Sequence, residues 1–348
     1  MINISTHRVN ANWAALLAML FLLVLSHSAE AQGGCGFVMG QGCPETDYSN
    51  FGMNSNGDAA TIEYDNFVAG FHSTAVRTNE GTYKVWGQNM ANNGSSNQLS
   101  PTDLSGDNYP ALTGNVLKVA MGSNSTSHQA VALSTDGLFA WGVQGIVISS
   151  DITSNATFQK ISIDGNATGL PLGVSPTQVK MLFGTRGTLA ITTCDGEVWV
   201  LSQQAENRGN GGVGSSTQWA RVETAELETP HLDDVVVVRG FYTGLMALKR
   251  DGTLWTWGTS TYLGDNTAAA QRTRATQMTL PTAGSIKMIG MTGSINNPSS
   301  YYALYEDGNL FALGGNNNQQ LGDWPTTPTI ARTAWVQPRY TSALGPVM

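Results

Sequence analysis

A turn signature that recurs at a fixed interval constrains this chain more than any other feature. Its fullest copy is Lys249-Arg250-Asp251-Gly252-Thr253-Leu254-Trp255-Thr256-Trp257-Gly258, preceded by the apolar run Gly244-Leu245-Met246-Ala247-Leu248. Two alternating apolar runs around Asp-Gly predict a β-hairpin, because glycine enters the φ > 0 region of a tight turn without strain. A two-residue turn places Leu248 opposite Trp255 and Met246 opposite Trp257 on one face, with Ala247 opposite Thr256 on the other. Four further copies pass through Glu80-Gly81, Asp136-Gly137, Asp195-Gly196 and Asp307-Gly308. The turn glycines Gly81, Gly137, Gly196, Gly252 and Gly308 are therefore 56, 59, 56 and 56 residues apart. Five unrelated hairpins would not keep that interval. A repeat of about 50 residues with several strands per unit predicts a radial array whose units bury their faces on one another.

Each unit also has a strand before its hairpin, at 117–120, 179–182, 235–238 and 286–289, and a shorter strand is placed earlier still, at 158–161, 219–222 and 275–280. Four strands per unit are the blade of an all-β fold, the β-propeller. Five units span residues 59–338, and Trp335-Val336-Gln337-Pro338 reads as the opening strand of a sixth. Two closures remain open. Either five blades close, with that last strand completing a sheet, or the chain is the front part of a longer protein. The loop-like Ser342-Ala343-Leu344-Gly345-Pro346-Val347, with no Asp-Gly hairpin after it, favours the longer protein. Residues 339–348 are then a tail or the start of a further blade.

Residues 1–31 read as an export signal. Arg8 supplies the positive start, residues 13–25 (WAALLAMLFLLVL) are uninterruptedly apolar, and Ala29-Glu30-Ala31 fits a small-x-small cleavage site. Thirteen apolar residues fall short of the roughly 20 that a spanning helix needs, so no membrane-spanning segment is expected after cleavage. Residues 32–58 form a Gly/Cys-rich segment. In an oxidising compartment Cys35 and Cys43 read as a local disulfide, which leaves Cys194 as the odd thiol. Two thiols without a nearby histidine make a poor zinc site. Gly52 to Glu63 matches part of a calcium-loop pattern but has Gly52 where the first carboxylate belongs, so an Asn/Gly-rich turn is the better reading.

Removing residues 1–31 takes Arg8 and Glu30 from totals of 17 basic and 25 acidic residues and leaves the net charge at −8. The remaining cations are scattered, which excludes the concentrated basic patch that nucleic acid needs. No catalytic set stands out. His72, His128 and His231 fall in no metalloprotease arrangement, and neither a nucleophile elbow nor a phosphate-cradling loop occurs. Asp136, Asp195, Asp251 and Asp307 are explained by turn geometry, so they identify no glycosidase pair. Trp86, Trp141, Trp199, Trp255 and Trp257 lie three to five residues after a turn glycine and are expected in the core. Arg208, Tyr262 and Trp324 lie in loops between strands, where a propeller presents its recognition residues, and are the candidate partner contacts.

The run Val68-Ala69-Gly70-Phe71-His72-Ser73-Thr74-Ala75-Val76, with Glu80-Gly81 and Val85-Trp86-Gly87 behind it, resembles the repeat of the regulator of chromosome condensation family. So does Asp307-Gly308-Asn309-Leu310-Phe311-Ala312-Leu313-Gly314 followed by Gln320-Leu321-Gly322. The resemblance covers roughly residues 59–338 and implies a propeller, usually of seven blades. The Gly-x-His element is clean only at Gly70 and His72; His128 follows an insertion, and Arg186, Tyr242 and Ser299 stand nearest its place in later units. A histidine chemistry shared by all units is therefore not expected. Within the family, intracellular members act in guanine-nucleotide exchange on small GTPases and some secreted bacterial members inhibit β-lactamases; the export signal points away from exchange. The expected function is a secreted or cell-surface, non-enzymatic module without cofactor or metal, binding a protein partner through its loops. Alternatives are a polysaccharide-active hydrolase or glycan-binding module, and a structural segment of a longer cell-surface protein.

Overall fold

The computed structural model describes residues 67–78, 80–226, 230–294, 297–323 and 330–339. Its strands form five antiparallel four-stranded sheets, each a meander in chain order. The first holds β1 (Phe67–Ala69), β2 (Ser73–Arg77), β3 (Tyr83–Gly87) and β4 (Gln98–Asp103). The second holds β5 (Val116–Ser123), β6 (His128–Ser134), β7 (Gly137–Gly142) and β8 (Gln159–Lys160). The third holds β9 (Val179–Thr185), β10 (Thr188–Thr193), β11 (Val198–Ser202) and β12 (Ala220–Arg221). In the fourth are β13 (Val235–Phe241), β14 (Gly244–Lys249), β15 (Leu254–Thr261) and β16 (Ala270–Gln277); in the fifth are β17 (Ile286–Ser294), β18 (Asn297–Tyr305), β19 (Leu310–Gly314) and β20 (Arg332–Val336). Successive first strands pack side by side, β1 on β5, β5 on β9, β9 on β13 and β13 on β17. Residues of β1, β5, β9 and β13 line a common axial space of about 200 Å³. Four-stranded meanders stacked radially about an axis are the blades of a β-propeller.

The core lies between the sheets. Along β6, Ala130 and Ala132 pack with Ala75 and Val85 of the first sheet, whereas Val131 and Leu133 pack with Leu189 and Ile191 of the third. Both faces of β6 are thus covered, which is why its apolar run is continuous and buried throughout. A further cluster runs from Val198 and Val200 through Trp257 to Tyr301 and joins the third, fourth and fifth sheets. β2 instead alternates buried with half-buried residues, the pattern of a strand with one packed face.

The hairpin register differs from the two-residue expectation. Leu248 faces Leu254, Ala247 faces Trp255, Met246 faces Thr256 and Leu245 faces Trp257. Gly252 N–H donates to Lys249 O at 3.0 Å and Lys249 N–H donates to Thr253 O at 3.0 Å, which makes the loop three residues long. Only its last residue, Gly252 at φ 84°, is left-handed. This is a type I turn ending in a glycine bulge. Asp251 has its own duty there, since its Oδ1 accepts the Thr253 N–H at 2.9 Å. The same pair of backbone bonds closes the loops ending in Gly81, Gly196 and Gly308, which have φ of 81°, 83° and 85°. The second unit departs from this. Ser134 pairs with Gly137 across a two-residue loop, and Leu138 N–H donates to Thr168 O at 2.8 Å.

A second repeated device explains the Trp-Gly pairs. Gly87, Gly142, Gly258 and Gly314 sit opposite Ser73, Gln129, Gly244 and Ser300 in the first half of the second strand of their sheets, and a Cβ on Gly87 would lie 2.2 Å from His72 O. That close approach lets the next residue reach the same carbonyl: Gln88 N–H donates to His72 O at 2.9 Å, and Val143, Thr259 and Gly315 repeat the bond to His128, Thr243 and Ser299. In the third unit Ser202 takes the glycine's place, the glycine moves to Gly187 just before the facing strand β10, and Gln203 N–H still donates to Gly187 O at 2.8 Å.

Three expectations are corrected. The short strands near 158–161, 219–222 and 275–280 are β8, β12 and β16, which close the preceding sheet rather than open the next one. The strand around Trp335 is likewise β20, paired with β19 through Ala312–Val336 and Gly314–Arg332, so it completes the fifth sheet and begins no sixth. Cys194 is disulfide-bonded rather than the odd thiol. Its partner lies outside the described residues, as do Cys35 and Cys43.

Candidate partner-binding groove

A groove of about 560 Å³ opens between the second and third sheets, at the end of the molecule where their hairpins turn. One wall is the chain leading from β8 to β9. There Ile163 and Asn166 pair across Asp164-Gly165, both at positive φ (51° and 75°), so this Asp-Gly is the tight two-residue turn. Asn166 holds the wall's shape: its Oδ1 accepts from Thr168 N–H at 3.1 Å and its Nδ2 donates to Leu170 O at 2.9 Å. Beyond it, Leu170 and Pro171 are buried while Leu172 stands 91% exposed at the lip.

The other wall is aromatic. Trp199 of β11 pairs with Arg221 of β12, and Trp219 lies two residues before Arg221, so the two indoles share a face of the third sheet. Each is locked by its nitrogen: Trp199 Nε1 donates to Glu197 Oε2 at 3.2 Å and Trp219 Nε1 donates to Gly169 O at 2.8 Å. Arg221 in turn bridges Glu197 and Asp233, at 2.9 Å each. With both N–H groups committed, the half-buried rings offer only apolar surface. Asp164 is the sole charged residue in the lining. The disulfide-bonded Cys194 lies in the hairpin loop just before β11, on the strand pair that carries Trp199.

The candidate contacts expected from sequence lie elsewhere. Arg208 is 7% exposed; its Nε donates to Ser202 O at 3.1 Å and a terminal nitrogen to Gly214 O, and burial lowers its pKa against the opposing charge of Glu206. It is a cation that pins a glycine-rich loop rather than a rim contact. Tyr262 is 4% exposed within the core shared by the fourth and fifth sheets. Trp324, Cys35, Cys43 and the Gly52–Glu63 segment lie outside the described residues. Of the tryptophans assigned to the core, Trp141, Trp255 and Trp257 are buried, but Trp86 and Trp199 are only half-buried.

Five meander sheets about an axial space, joined by inter-sheet cores and carrying a rim groove, define a repeat-built β-propeller. The fold is similar to that of human WBSCR16, at 16% identity and a TM-score of 0.57 over 78% of this chain and 65% of that one. It is also similar to Prp20p from Saccharomyces cerevisiae, at 15% identity and a TM-score of 0.52 over 78% of this chain and 62% of that one. The chain therefore spans just under two-thirds of the length of each. No family model matches it.

Proposed function

We propose that the chain is an exported, non-enzymatic propeller that binds a protein partner in the groove between its second and third sheets. The carrying observation is the groove itself, with two rigid indoles facing a fixed turn and an exposed leucine at the lip. Aromatic anchors in a pre-formed concavity, with an apolar residue displayed beside them, are what protein interfaces use at their centre. Asp164 in the lining, with Glu197 beside it in a chain of net charge −8, favours a partner that inserts an apolar side chain flanked by basic residues. Prp20p, which has the same fold, has binding properties to Gsp1p and histones.

Glycan is the weaker occupant, because a sugar needs free polar groups and those of Asn166 and the indoles are already engaged. Hydrolysis of a glycan is weaker still, since a glycosidase needs two carboxylates across the cleft and the lining has one. The disulfide at Cys194 supports an oxidising compartment and hence export. Leu172→Asp tests the assignment, because its site is exposed and the fold should be unaffected. From extracellular medium or surface extract, the wild-type chain should retain a partner that the variant loses. Equal capture by both, or capture by neither, would overturn the proposal.

A further inference from the structure

At the opposite end from the groove, two histidines from neighbouring sheets face each other. His128, the first residue of β6, is 1% exposed, and neither of its ring nitrogens has a hydrogen-bond partner. A buried polar atom left unpaired is costly, so the two ring nitrogens of His128 call for an explanation. His72, in the loop between β1 and β2, is exposed, and its ring centroid lies 5.6 Å from that of His128 with the planes at 44°.

His72 is already oriented. Its Nδ1 lies 2.8 Å from Gln88 Oε1, an atom that only accepts, so Nδ1 carries the proton and Nε2 keeps its lone pair. Gln88 is itself steadied by donating from Nε2 to Thr126 O at 3.5 Å. A ring nitrogen bonded to a carbonyl oxygen while the other stays free is how a metal-binding histidine is commonly held. Ser73 Oγ is also buried without a partner. It and His128 Nδ1 border the space in front of Gly70, where a Cβ would lie 3.0 Å from the first and 3.4 Å from the second.

We propose that His72 and His128 together bind a divalent transition-metal ion of the zinc, nickel or copper type, which ties the first sheet to the second. An ion held at about 2.0–2.1 Å by one nitrogen of each ring puts the two centroids roughly 5 to 6 Å apart, which the observed separation meets. Among the described residues no group of three or more His, Cys, Asp or Glu converges on an ion, so water, with Ser73 Oγ at hand, completes the shell. Imidazole ligands select these metals over magnesium and calcium, which prefer oxygen. This proposal is independent of the groove.

Calorimetric titration of the folded mature chain with Zn²⁺ tests it. One ion should bind per chain, Mg²⁺ should not bind, and EDTA should reverse the effect. His72→Ala, on an exposed loop, should lose at least tenfold in affinity while keeping the wild-type circular dichroism spectrum. His231→Ala should bind as wild type. Absence of zinc binding at millimolar concentration, or undiminished binding by His72→Ala, would overturn the proposal.

Discussion

What a side chain costs at a glycine depends on what the new Cβ meets, and two glycines of one hairpin separate the contributions. At Gly252 no heavy atom lies within 4 Å of the added Cβ, so the penalty of Gly252→Ala is the left-handed backbone alone, about 1–2 kcal/mol. At Gly258 the same methyl would sit 2.4 Å from Gly244 Cα and 2.6 Å from Thr243 O, both backbone atoms that cannot swing aside. Gly258→Ala should therefore cost more than Gly252→Ala, roughly 3 kcal/mol or above, because strand pairing must be disturbed as well. Urea midpoints of the two variants measure the difference, and equal midpoints would contradict the reading of Gly258 as a close-approach residue. The sequence marks both glycines equally. It does not show which faces open space and which faces a carbonyl.

At the scale of elements, the hairpins were legible and their register was not. Asp-Gly occurs at 251–252 and at 164–165, yet it closes a three-residue loop with one left-handed residue in the first case and a two-residue turn with two in the second. What differs is the aspartate. Asp251 stays out of the left-handed region and its side chain accepts the Thr253 N–H, whereas Asp164 has φ of 51°. The closing strands β8 and β12 are two residues long, too short for their sequence to say which sheet they join. The groove was hidden for a related reason. Trp199 and Trp255 both lie three residues after their turn glycines, but the depth of each is set by the chain packed over it, and the wall at 163–172 leaves Trp199 half open.

The state of Cys194 was equally beyond the sequence, because spacing favoured the near pair and left Cys194 over, whereas Cys194 is disulfide-bonded. A native disulfide should stabilise by about 2–5 kcal/mol. Dithiothreitol should lower the Tm of the wild-type chain, and Cys194→Ser should show the lowered value with or without reductant. An unchanged Tm on reduction would mean that the bond carries no stability.

For the whole molecule, the regular interval between turn glycines made the propeller architecture legible, because a repeated four-stranded unit buries its apolar faces on its neighbours. The same shared packing makes the inter-sheet rims rigid, and a rigid rim is where a binding groove can be held open without a partner present. The groove between the second and third sheets is the surface proposed for this role. A photo-cross-linking residue placed at Leu172, at the lip of the groove, is the most direct test, with the same residue at Leu99 as the control. Leu99 is 90% exposed on the β4 edge and is remote in sequence from the groove lining. A covalent adduct with the protein partner is expected from position 172 and none from position 99; adducts of equal yield from both, or from position 99 alone, would rule out the groove as the binding surface.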